Sequence, residues 1–159
     1  MTIRIANLEE IPAVVALSRD SFMSAVAPLY GDEGVRTFLE FATVEAMLKR
    51  MSENYATYVA YREDTLIGMA HVKDRAHISM LFIASNEQCK GVGRALVEAV
   101  IAESNDRVIT VHSSPNAEQA YTRFGFRRTA DEQVTDGIRY IPMSLKRPNQ
   151  ALKPAATGL

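Results

Sequence analysis

Between Gln88 and Arg94 the chain reads Gln-Cys-Lys-Gly-Val-Gly-Arg, directly ahead of an apolar stripe at helical spacing. Residues of these types in this order suit the capture of an anion. Gly91 and Gly93 carry no side chain to block a close approach to the backbone. The first N–H groups of a helix have no partner inside it, and they lie at the positive end of its macrodipole. Lys90 and Arg94 add charge beside them. The stretch therefore suits a pyrophosphate, although two glycines alone would favour a plain turn that packs a helix on a sheet. No Gly-Lys-Ser/Thr comes after it, so this is not a P-loop. The third glycine of a dinucleotide fingerprint is missing as well. Cys89 reads as a small loop residue rather than a nucleophile, since no dedicated base accompanies it.

Three histidines supply groups that titrate near neutral pH, His71, His77 and His112. His112 closes a short apolar strand. His77 opens an earlier one, on the same alternating face as Ser79, Leu81 and Ile83, and His71 ends the strand before that. A surface or strand-end position is the commoner role for each.

The elements that must position these residues emerge from periodicity. Thr2 to Ile5 alternates as a short strand, and Asn7 caps a helix with Pro12 in its first turns. Ala25 to Gly34 reads as a loop, Asp32 to Phe41 as a short helix, and Thr43 as the cap of another. Tyr55 to Glu63 and Thr65 to Val72 form a hairpin by spacing. His77 to Ser85 is a third beta-prone run. A helix over about 91–104 succeeds the glycine stretch, then a strand over 107–111. Ser114-Pro115 opens a further helix that Gly125 ends. Phe126 to Val134 and Ile138 to Leu145 are two last strands joined across Asp136-Gly137, a hairpin signal. Antiparallel hairpins around one strand–helix–strand crossover make a mixed α/β layer rather than a doubly wound parallel sheet.

The length of 159 residues fits one domain, over 1–146, with a loosely held proline-containing tail over 147–159. Net charge is −1, which supplies no basic field for nucleic acid. The first residues lack an apolar signal core and no apolar run approaches a bilayer span, so no membrane association is expected. A single cysteine excludes an internal disulfide and a thiol-based zinc site; no metal is expected, and a cytoplasmic location is the simplest reading.

Two segments together carry a resemblance. Gln88-Cys89-Lys90-Gly91-Val92-Gly93 is similar to the Q/R-x-x-G-x-G/A signature of the GNAT superfamily of acyl-CoA-dependent N-acyltransferases. Ala120 to Phe126 is similar to that family's hydrophobic-Tyr-x-x-hydrophobic-Gly-Phe segment. The resemblance implies a central, mostly antiparallel sheet of about seven strands, splayed between the fourth and fifth and flanked by about four to five helices. It implies acetyl-CoA as cosubstrate, with backbone groups of Leu81, Phe82 and Ile83 along the pantetheine. Gln88, Cys89, Lys90, Gly91, Val92, Gly93 and Arg94 would lie at the phosphates. Tyr121 would donate a proton to the leaving thiolate. Asn116 is closer to Tyr121 than in many members, so it points away from the tyrosine face; it would touch the cofactor from the helix start or serve as an ordinary helix-start asparagine. His112 is the first choice of base, unless a water chain serves instead. The reaction implied is direct attack of a primary amine on acetyl-CoA in a ternary complex. A small-molecule acceptor is favoured; a protein N-terminus or lysine, or a non-catalytic acyl-CoA-binding module, are the alternatives. Phe22, Tyr30 and Phe38 would line the acceptor pocket or belong to the core, and Asp131, Glu132 and Asp136 would attract an amine or form a solvated turn. A homodimer through the last strands is compatible with such a fold.

Overall fold

The computed structural model describes residues 1–147. Of the tail expected over 147–159, residues 148–159 lie outside the described residues. Arg147 does not begin it loosely: its N–H donates to the Arg107 carbonyl at 2.8 Å, extending the last strand's pairing.

Among the described residues, five α-helices flank one sheet. The order is β1 (Thr2–Ile5), α1 (Ile11–Ala25), α2 (Asp32–Phe41), α3 (Val44–Met51), β2 (Tyr55–Arg62), β3 (Thr65–Lys73), β4 (His77–Ile83), α4 (Val92–Glu103), β5 (Val108–Ser113), α5 (Glu118–Phe124), β6 (Arg127–Arg128), β7 (Gln133–Thr135) and β8 (Ile138–Lys146). Strands lie side by side as β1-β2-β3-β4-β5-β8-β6, with β7 also on β8. Every pairing is antiparallel except β4 with β5, which meet only at His77 opposite Thr110 and Ile78 opposite Val111. Beyond Ile78 the two strands separate. This is the mixed, splayed sheet that the resemblance implies.

Local chemistry sets the helix ends. Thr43 Oγ1 accepts from the Ala46 N–H at 3.1 Å and starts α3. Gly125, at φ 109°, closes α5 in a left-handed conformation that a side chain would strain. A 3-10 turn, Leu8–Glu10, precedes α1, and the Glu10 carboxylate accepts from the Asn7 N–H at 2.8 Å. Another, Ala27–Leu29, occupies the stretch expected as loop.

Two cores sandwich the sheet. One, with Ile67, Leu96, Val100, Ile109, Val111 and Phe126, lies under α4 and α5. The other, with Ile11, Val14, Phe22, Phe38, Met47, Met69 and Met80, lies under α1, α2 and α3.

The expected strand over 126–134 is broken. Arg128 faces Met143 and Gln133 faces Tyr140, so four residues on one side oppose two on the other. Pro142 sits at the break: it accepts from the Thr129 N–H at 2.9 Å but has no N–H to return. The hairpin turn is as expected, with Asp136 at φ 51° and Gly137 at φ 79°.

Candidate functional site

The opening between β4 and β5 is a built feature of the strand. Ala84 N–H bonds the Ile67 carbonyl at 2.9 Å, so in this antiparallel register Phe82 and Met80 also turn their backbone groups to β3. Leu81 and Ile83 then turn theirs the other way, into the gap that β5 has left. A strand edge stands without a neighbouring strand inside the sheet. Phe82, grouped with Leu81 and Ile83 by sequence, is placed differently: its backbone pairs with β3 and its ring meets Phe38 edge-on at 5.6 Å.

A β-bulge precedes the edge. Val72 faces Ile78 while His71 faces Met80, which leaves Ser79 as the extra residue. The bulge inverts the alternation. Ile78 packs in the α4 core, but Met80 and Phe82 pack on the α1 side, and Leu81 and Ile83 return to the α4 side. The expectation that His77 shares a face with Leu81 and Ile83 is therefore corrected: one inserted residue puts His77 on the opposite face.

The glycine stretch lies at the end of this edge. After Ile83 the chain makes a 3-10 turn, Ser85–Glu87, and Gln88 folds back so that Nε2 donates to the Ile83 carbonyl at 2.9 Å. Cys89 at φ 62° and Gly91 at φ 86° both take left-handed backbone conformations. Gly91 is the residue before α4, and no side chain caps the helix start. Its first N–H groups thus lack the usual side-chain acceptor. A Cβ on Gly91 would meet no atom within 4 Å, so open space faces the uncapped end. Gln88, Cys89, Lys90 and Gly91 are exposed at this rim, whereas Val92 is buried and fixes the helix to the core. Glu87 is the carboxylate next to this cradle, and Arg62 pairs with it at 3.0 Å. These features fit a polyanion: donors without a side-chain acceptor, an approach free of side chains, and a cation, Lys90, at the rim.

The two glycines have different reasons. A Cβ on Gly93 would lie 3.2 Å from Phe124 Cζ, so this glycine lets α4 pack on α5 rather than exposing backbone. Arg94 likewise faces α5, donating to the Arg123 carbonyl at 2.9 Å with its guanidinium 5.4 Å from the Phe124 ring centroid.

Tyr121 stands on α5, 6% exposed, with its ring edge-on to Phe124 and Phe126. Burial pushes its phenol well above the ordinary value. Its hydroxyl makes no hydrogen bond among the described residues and is not among the sealed-off polar atoms. Asn116 lies in a 3-10 turn, Pro115–Ala117, before α5 begins.

The histidines divide sharply. His71 is fully buried inside β3, not at a strand end or surface. Arg50 Nε donates to its Nε2 at 3.0 Å, which makes Nδ1 the protonated nitrogen, donating to Thr57 Oγ1 at 2.8 Å. Desolvation first, then the Arg50 charge, lowers its pKa from 6.5 to about 3. His77 and His112 lie on the open face of β4 and β5. His77 Nδ1 is 2.7 Å from Thr110 Oγ1, and its ring meets His112 edge-on at 4.7 Å. Burial, then His112 and Lys73, lowers His77 to about 4. His112 is exposed on one side and stacked on Tyr140 at 4.3 Å, and partial desolvation lowers its pKa too.

Phe22 and Phe38, offered by sequence as pocket lining or core, stack at 3.9 Å and are core. Glu132 is paired with Arg139 at 2.8 Å. A cleft of about 690 Å³ between α1 and α2, lined by Arg19, Met23, Val35 and Leu39 among others, does not include the glycine stretch or Tyr121. Among the described residues no group of three or more His, Cys, Asp or Glu is placed to hold a metal, and no helix is long and apolar enough to cross a membrane. Sequence reasoning missed the Ser79 bulge and the Gln88 bond to Ile83. Neither leaves a compositional mark, because both depend on register and chain reversal.

Comparison with known proteins agrees with this fold. A family model described as an acetyltransferase (GNAT) domain matches residues 26–147. A Bacillus subtilis (strain 168) protein named as an acetyltransferase is 25% identical over 100 residues, spanning 59% of this chain and 67% of the relative. Among solved structures, a GCN5-related N-acetyltransferase from Rhodopseudomonas palustris superposes with a TM-score of 0.79 at 20% identity, covering 91% of this chain and 94% of that one. PaiA N-acetyltransferase from Thermoplasma acidophilum, solved in complex with coenzyme A, gives 0.72 at 20% identity, covering 92% and 99%. These structural likenesses concern the fold.

Proposed function

The chain belongs to the GNAT acetyltransferase family, and from that premise we propose that it moves an acetyl group from acetyl-CoA to a primary amine, by direct attack in a ternary complex. One observation carries the reading: a strand edge without a neighbouring strand, at Leu81 and Ile83, runs into the uncapped, side-chain-free start of α4. An extended amide chain ending in a pyrophosphate has the chemistry to complete both. Acetyl-CoA, when bound, supplies an acyl thioester.

The chain's own residues divide the remaining work. The first N–H groups of α4, with Lys90 at the rim, hold the phosphates, and Cys89 contributes backbone only. Gln88 orients the Ile83 carbonyl from the side. The free N–H of Leu81 or Ile83 polarises the acyl carbonyl. The amine nitrogen bonds to the carbonyl carbon and the carbon–sulfur bond breaks. One proton leaves the amine and one reaches the sulfur. Tyr121 suits the second transfer, because its raised pKa keeps the hydroxyl protonated and no protein group competes for it. His112 suits the first, because its lowered pKa keeps the imidazole neutral at pH 7 and able to accept. Asn116 is a helix-start residue within this reading. A small molecule is the favoured acceptor.

The test is calorimetric titration with acetyl-CoA and with CoA, and then thiol release on adding amines. One-to-one binding with amine-dependent release supports the enzyme. Binding with no release from any amine would support an acyl-CoA sensor instead, and no binding at all would overturn the site.

A further inference from the structure

Among the described residues Glu87 is the one buried carboxylate, and it sits in the loop that suits an anion. Its N–H closes the 3-10 turn Ser85–Glu87 on the Ala84 carbonyl at 2.9 Å, which fixes its backbone immediately before Gln88. A negative charge at that point opposes the phosphates the cradle is shaped to take. The hydrogen bond from Arg62, and then the charges of Arg62 and Lys90, hold its carboxyl below the usual carboxylate range, so it is ionised at neutral pH.

Arg62 ends β2, and its Nη2 and Nε both donate to Glu87 Oε1, at 3.0 and 3.3 Å. Two carboxylates stand nearer to it in sequence, Glu63 and Asp64 in the β2–β3 turn, yet among the described residues its ion pair is with Glu87. The guanidinium reaches 25 residues along the chain and ties the β2–β3 hairpin to the loop before α4. Its side chain is 45% exposed, against 11% for Glu87. A pair this open to water on one side contributes little to folding. Its effect on charge at the cradle is larger. Paired, the carboxylate presents a nearly neutral group to an incoming anion. Unpaired, it presents a full negative charge where burial limits screening.

We infer that Arg62 is a positioning residue that masks Glu87, so that the buried carboxylate anchors the turn before the cradle without repelling the phosphates of coenzyme A. This rests on the coenzyme site proposed above. Arg62 acts through Glu87 and does not itself touch the phosphates.

The experiment is a double-mutant cycle on the whole 159-residue chain, read by calorimetric titration with coenzyme A at low and at high salt. Arg62→Gln should weaken binding about tenfold at low salt, and the gap should narrow at high salt. Glu87→Gln should bind within about threefold of the wild type, because the charge and its mask leave together. The double variant should recover to the level of Glu87→Gln, since no charge remains to be unmasked. Arg62→Lys keeps a cation opposite Glu87 and should keep most of the affinity. A double variant as weak as Arg62→Gln would show Arg62 acting on the phosphates directly and would overturn the mask, as would Arg62→Gln binding like the wild type. Thermal midpoints report whether each variant folds. If Arg62→Gln does not, the double variant against Glu87→Gln decides: loss of Arg62 should then cost no affinity, and a tenfold loss would overturn the inference. Wild-type binding keeps the coenzyme site standing whatever the variants do; no binding by the wild type would sink both.

Discussion

The two sides of β4 handle polar groups in opposite ways. Toward β3 the ladder runs along β4 with one bulge, and at its centre His71 uses both ring nitrogens, one from Arg50 and one to Thr57. Arg50 is occupied in turn, donating to the Phe41 carbonyl at 2.7 Å with its guanidinium 3.7 Å from the Phe41 ring centroid. Toward β5 the ladder stops after two residues, and beyond it, among the described residues, lies a set of groups without partners: the N–H groups of Leu81 and Ile83, the start of α4, and the Tyr121 hydroxyl. A buried polar group left unpartnered is costly, so a fold keeps such groups together only where something else completes them. The first seam holds the protein together; the second is where a ligand would bind.

The sharpest way to break that contrast is Gly91→Val. It forces a side chain into a left-handed position and into the open space before α4. Loss of several charge-assisted hydrogen bonds should weaken acetyl-CoA binding on the order of a thousandfold, measured by calorimetry, and the backbone strain should also lower the thermal midpoint by roughly a few degrees. Next is Tyr121→Phe, expected to lower kcat about a hundredfold while the acetyl-CoA dissociation constant stays nearly constant. Full turnover in this variant would remove the hydroxyl from the proposed mechanism. On the other seam, Arg50→Leu leaves the His71 Nε2 and the Phe41 carbonyl without their donor, and should cost about 2–3 kcal/mol in urea unfolding without altering acetyl-CoA affinity per folded molecule.

Acid sharpens the same contrast. His71 resists protonation in the fold, at about 3, and accepts it freely when unfolded, near 6.5. The unfolded chain therefore binds the extra proton first, and stability should fall as pH drops from about 6.5 toward 3. His77 adds to the loss between 6.5 and about 4. Urea midpoints measured across this range should decline, and His71→Phe should flatten the slope.

Much of the fold is legible in the chain because its signals are local. The limits of α2, the Thr43 cap, the Asp136-Gly137 turn and the Gly125 stop all lie within a few residues of their causes. The glycine stretch is legible for the same reason, since a helix start carries its own chemistry. Other features depend on residues distant in sequence. Ser79 becomes a bulge only against β3, and that single residue reverses the expected face of His77. His71 reads as a strand end because nothing near it in sequence announces Arg50 and Thr57 as partners. Gly34 reads as an ordinary loop glycine, and its reason lies at Gly137, on the far side of the sheet. The break opposite Pro142 stays hidden because proline's missing donor matters only once its neighbour is known.

The most direct test of the proposed site is residue-resolved amide hydrogen exchange with and without coenzyme A. New protection is predicted at the N–H groups of Leu81, Ile83, Val92 and Gly93, which the fold leaves unpaired, and none at His71 or its neighbours on β3, which are already bonded. Protection confined to other residues, with Leu81, Ile83 and the start of α4 exchanging as before, would contradict a coenzyme site on this seam.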